Sequence, residues 1–117
     1  MERLGYIPEK LYHYTLKDNL ESIGNSYELR ASSDGYVYMT EDIHDACIFA
    51  NVYSYLNKRP ITDYVVIEIY TNNMDIDKNN LFISYDHNPK YFPIKKHAIM
   101  HYGNLNLYDA NYYEFDE

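Results

Sequence analysis

Tyr64-Val65-Val66-Ile67-Glu68-Ile69-Tyr70-Thr71 is the stretch that decides the fold. Its β-branched and aromatic side chains fit a pleated, half-buried surface, so it reads as the strongest strand of the chain. Alternation puts Val65, Ile67 and Ile69 on one face and Tyr64, Val66, Glu68 and Tyr70 on the other. Just upstream, Pro60 and Asp63 mark a loop. Before that loop Ile43, Ala46, Cys47, Ala50 and Tyr53 keep helical spacing to about residue 56. Thr40 suits the N-cap of this helix, with Glu41 and Asp42 in a first turn where the dipole favours acid.

Further upstream, residues 36–40 read as a second strand and residues 10–15 as a first one. Between them Leu16, Leu20 and Ile23 share a helical face, with Thr15 or Asp18 as its cap and Gly24-Asn25 as its end. Residues 27–33 hold a short extended piece around Leu29-Arg30-Ala31, and Ser33-Asp34-Gly35 is a turn signal. Downstream, Asn72-Asn73 and Lys78-Asn79-Asn80 punctuate the chain before strands at 81–85, 98–102 and 111–115. Strands outnumber helices, and both helices fall in the first half. That order predicts an α+β fold, with residues 1–117 as one domain.

Two short runs, Leu11-Tyr12-His13-Tyr14-Thr15 and Tyr36-Val37-Tyr38-Met39-Thr40, end in hydroxyl or imidazole groups, and each leads straight into a helix pattern. Polar groups at strand ends sit on rigid backbone beside a crevice, so the spacing points to one site built from two strand ends.

The chain carries 10 basic and 18 acidic side chains, a net charge of −8. Counterion release rewards basic surfaces, so generic duplex nucleic-acid binding is not expected. Between His87 and Tyr108 there is no carboxylate, while Lys90, Lys95 and Lys96 all fall there. That window is the stretch suited to phosphate. No apolar run is long enough to span a membrane as a helix, the start lacks the apolar core of a secretory signal, and the single Cys47 fits a reducing cytosol; a cytoplasmic location is expected.

His97 and His101 stand four apart, a metal-binding spacing on a helix. The 98–102 run reads as a strand, where that spacing separates them by about 13 Å, so no metal site is expected. His44 falls on the polar side of the second helix, and Cys47 on its apolar side as a small hydrophobe. The glycines do not cluster, which leaves no phosphate loop. Sixteen tyrosines and no tryptophan supply aromatic walls with hydroxyl handles.

The order Leu-Tyr-His-Tyr-Thr, a short helix, Leu29-Arg30-Ala31-Ser32, Val-Tyr-Met-Thr, an alanine-containing helix and a Val-Ile-Glu-Ile strand resembles the ADP-ribosyltransferase superfamily. The likeness is to small bacterial or phage members of the RNA 2′-phosphotransferase or DarT type, and it covers residues 10–71 best. It implies a split, two-sheet core with NAD bound as substrate between the sheets. By the same resemblance His13 bonds the adenosine ribose, with Tyr14 and Thr15 completing the first motif and backbone there meeting nicotinamide. Tyr38 and Thr40 take the second motif beside the nicotinamide, and Arg30 meets pyrophosphate with help from Lys95 or Lys96. The activity implied is cleavage of the nicotinamide bond and transfer of ADP-ribose to a macromolecular acceptor.

The third motif of that superfamily is a late-strand Glu, and residues 94–107 contain no carboxylate. His101 stands near that place, with Glu68 and Glu114 as substitutes of different geometry. The departure fits phosphotransferase-like chemistry on a 2′-phosphate, binding of NAD or ADP-ribose without catalysis, or a different alignment of the late strands with that motif. From another class comes a separate reading, a non-catalytic, acidic, tyrosine-rich phage or mobile-element inhibitor that blocks a nucleic-acid-binding protein. Its functional surface would be the tail carrying Asp109, Glu114, Asp116 and Glu117.

Overall fold

The computed structural model describes residues 2–72, 74–84, 98–107 and 110–116. Strand β1 is Lys10–Leu16, and a 3-10 turn at Lys17–Asn19 leads into a short helix, α1, at Leu20–Ser26. Strands β2 (Glu28–Leu29) and β3 (Tyr36–Met39) precede the long helix α2, Ile43–Leu56. Then come β4 (Tyr64–Tyr70), β5 (Leu81–Ser84), β6 (Ala98–Tyr102), β7 (Leu105–Asn106) and β8 (Ala110–Glu114). The chain is α+β, as its pattern predicts.

Two three-stranded sheets, ordered β1-β4-β8 and β3-β6-β5, make up most of the fold, with β2 and β7 as a separate ribbon. Every pairing is antiparallel. The β4 strand is central, and from Tyr64 to Ile69 it is buried on both faces. One face carries Ile67 and Ile69 into a core shared with Leu11, Val37, Met39, Leu81 and Ile99, so both sheets close on one apolar cluster. Each such side chain contributes about 1.5–3 kcal/mol when removed from water. The other face packs Val66 and Tyr12 against Ala46 of α2. Ala46, Ala50 and Ser54 recur every four residues, and their small size lets the helix lie close on the sheet.

Several boundaries differ from the sequence reading, each for a local reason. Asp42, not Thr40, caps α2: its backbone is extended and its carboxylate accepts the His44 N–H at 2.7 Å. Neither Thr15 nor Asp18 caps α1: Thr15 lies inside β1, Asp18 lies in the 3-10 turn, and Asn19 stands at the cap. Gly24-Asn25 does not end that helix. Tyr27 does, in left-handed backbone (φ 54°), with its N–H bonded to the Ile23 carbonyl and its own carbonyl taking the Leu107 N–H. The β2–β7 ribbon adds a small third sheet to the two expected. Residues before β1 also join the fold, since Leu4 donates to the Leu81 carbonyl and Ile83 to that of Glu2. No helix among the described residues is long and apolar enough to cross a membrane.

Candidate functional site at the split between the sheets

The two sheets touch edge to edge through β1 and β3, and the contact is a single bridge. Tyr12 and Thr40 exchange two backbone bonds, of 2.8 and 2.9 Å. In a continuing antiparallel ladder the next reciprocal pair would join Tyr14 to Tyr38, two residues on. His13 Nδ1 instead lies 2.7 Å from the Tyr38 carbonyl oxygen. The imidazole takes the acceptor that the Tyr14 N–H would otherwise reach, and the ladder ends there.

Two consequences follow. A carbonyl can only accept, so Nδ1 carries the proton in this bond. Burial pushes the imidazole below its ordinary pKa of 6.5, with the Tyr38 bond opposing it, so His13 is neutral near pH 7 and Nε2 is left as an acceptor. The second concerns the backbone. Tyr12 turns its N–H and C=O toward β3, so by alternation Tyr14 turns its own the same way, into the opening where the ladder has stopped. A ligand amide finds there both a donor and an acceptor.

Aromatic rings wall this region. Tyr14 stacks on Tyr53 with centroids 5.5 Å apart and on Phe49 at 6.3 Å, both from α2, and His13 lies 6.2 Å from Tyr14. Phe49 and Tyr53 are four apart, which puts them on one face of the helix. Burial first, then the charge of Tyr53 and a hydrogen bond to it, push the Tyr14 phenol well above its ordinary value. On β3 the Tyr38 hydroxyl donates to the Asp34 carboxylate. That bond, with burial and the Asp34 charge behind it, pushes Tyr38 up to about 12, so it stays a donor.

The structure therefore brings His13, Tyr14 and Tyr38 together. Thr40 belongs to the same corner, but its buried hydroxyl donates to the Asp42 carbonyl at 2.8 Å and braces the turn into α2. The Thr15 hydroxyl accepts from Asn19 Nδ2 at 3.0 Å. Arg30 stands apart. Its side chain is 74% exposed, 3.9 Å from Glu28, and lines an open groove with Asp18, Glu21 and Ser22 of the α1 region. His101 is buried on the core side of β6, opposite Val37 and Leu81, with Nδ1 3.0 Å from the Gly103 carbonyl. Among the described residues no hydrogen bond or ring contact joins Arg30 or His101 to His13. Of the residues proposed to meet phosphate, Lys90, Lys95 and Lys96 lie outside the described residues, as do His87, His97, Asp109 and Glu117.

Three site residues were hidden in the sequence. Tyr53 reads there as helix spacing and Phe49 carries no signal of its own; the packing of α2 on β1 puts both against Tyr14. Asp34 reads as a turn residue; its signal is a carboxylate four positions before a strand tyrosine. No protein-family model matches the chain, and no curated protein matches it either.

Proposed function

We propose that the chain is an ADP-ribosyltransferase-like protein that binds NAD in the split between β1 and β3. The observation that carries this reading is the interrupted ladder: His13 Nδ1 stands where a backbone donor would meet the Tyr38 carbonyl, and β1–β3 pairing stops after the Tyr12–Thr40 bridge. NAD offers groups that suit the lining. Its ribose hydroxyls donate to an imidazole nitrogen such as Nε2 of neutral His13. Its carboxamide pairs with a backbone N–H and C=O such as those of Tyr14. Its planar rings stack on aromatic walls such as Tyr14, Tyr53 and Phe49. The reaction this supports is rupture of the nicotinamide glycosidic bond and passage of ADP-ribose to an acceptor. The pyrophosphate needs cations, and the role stays with Arg30, whose guanidinium is exposed, together with Lys95 or Lys96.

Calorimetric titration of NAD into wild type and His13→Ala tests the reading. Wild type is expected to bind and the variant to lose about tenfold or more in affinity, the value of one well-placed hydrogen bond. Absence of binding in both ends the proposal.

A second reading, the non-catalytic interaction protein, is favoured by one observation. All five residues of β8 are exposed, and the strand forms a sheet edge that ends in Glu114, two residues before Asp116. On that reading neutralising the tail destroys function and His13→Ala leaves it intact.

A further inference from the structure

The reaction proposed above passes through a sugar cation, and a carboxylate is the natural group to stabilise it. This inference rests on that reading of the site. Among the described residues most carboxylates near the sheets are engaged elsewhere. Glu68 accepts from the Tyr70, Tyr113 and Tyr12 hydroxyls on the α2-facing side of β4. Glu114 lies 3.4 Å from the Lys17 ammonium, and Glu41 takes the Tyr6 hydroxyl. Asp34 differs, because its partner Tyr38 is also the residue whose carbonyl His13 holds.

The turn holding Asp34 is firmly built. Gly35 donates to the Ser32 carbonyl at 2.9 Å, Ser32 to that of Tyr36 at 2.9 Å, and Gly103 ties in the Gly35 carbonyl at 2.8 Å. Gly35 has φ +91°, a conformation that side-chain-bearing residues rarely adopt. One Asp34 oxygen accepts the Tyr36 N–H at 3.1 Å, and the other accepts the Tyr38 hydroxyl. A carboxylate has about four acceptor positions, so two remain open on an exposed side chain.

We propose that Asp34 is the catalytic carboxylate of this site: it accepts a hydroxyl of the nicotinamide ribose and sets its charge against the cation formed at C1′. The step balances without further reagents. The C1′–N bond breaks and its electron pair leaves with nicotinamide, whose ring nitrogen thereby loses its positive charge. C1′ becomes an oxocarbenium ion. The oxygen of an acceptor hydroxyl, or of water, bonds to C1′ and gives up its proton to solvent. With water the sum is NAD and water giving nicotinamide, ADP-ribose and a proton.

The test is nicotinamide release from NAD by the full chain, measured for wild type, Asp34→Asn, Asp34→Glu and Glu68→Gln, with NAD affinity measured alongside. Asparagine keeps the acceptor for the Tyr36 N–H and removes the charge. Asp34→Asn is expected to lower kcat about a hundredfold while KM stays within about threefold and the unfolding midpoint is unchanged. Asp34→Glu restores part of the rate, and Glu68→Gln turns over like wild type. NAD binding with equal turnover in Asp34→Asn and wild type overturns the assignment alone, as does a loss confined to KM or to the unfolding midpoint. Binding by wild type without nicotinamide release also overturns it. Absence of NAD binding by wild type overturns the functional reading and this assignment together.

Discussion

At the scale of single residues, the molecule uses side chains where a regular sheet would use backbone. His13 does so at the split, whereas Glu68, inside the regular ladders of β4, gathers side-chain donors on the face toward α2. The Tyr70 hydroxyl first, then those of Tyr12 and Tyr113 and the Lys10 ammonium, hold the Glu68 carboxyl below its ordinary value of 4.5, while burial works against them. A depressed carboxylate stabilises the fold fully above its unfolded pKa and loses that contribution as pH falls through its folded value. Urea unfolding of wild type and Glu68→Gln at steps below pH 4.5 should show wild type losing more stability over the window. Parallel curves would contradict it. The individual residues were only half legible. His13 stood out between tyrosines in a β run, but its bond to Tyr38 depends on where two distant strands diverge. Asp34 carried a turn signal, and nothing local distinguishes a turn carboxylate from one that also holds a strand tyrosine.

At the scale of elements, α2 decides the shape of the site, because it delivers Phe49 and Tyr53 to Tyr14. Its position depends on the corner after β3. Thr40 bridges to Tyr12 and donates to the Asp42 carbonyl, and Asp42 accepts the His44 N–H at 2.7 Å. Asp42→Ala should lower the unfolding free energy by about 1 kcal/mol, the usual cost of losing a side-chain N-cap. Chemical denaturation measures it, and an unchanged midpoint would show that another group caps the helix. Helix α2 and strand β4 were legible because their patterns are local: helical spacing from Ile43, and β-branched residues from Val65. The end of α1 was not. Tyr27 bears a steric cost for left-handed backbone that its local bond to Ile23 and its long-range bond from Leu107 help offset.

At the scale of the whole molecule, both sheets close on a common core while their edges meet through one bridge and then diverge. The α+β class could be read from the order of patterns. The pairing β1-β4-β8 and β3-β6-β5 could not, because β3 joins β6 across more than half the chain, and alternation within a strand says nothing about its partner. The central claim is that the opening left where β1 and β3 part is where NAD binds. An NMR titration of the labelled protein with NAD tests it most directly. The backbone amides of Tyr14 and Tyr38, the His13 ring and the Tyr53 ring should shift together along one saturating curve, drawn from both sheets and α2. Shifts confined to the α1 groove beside Arg30, or none at saturating NAD, would contradict it.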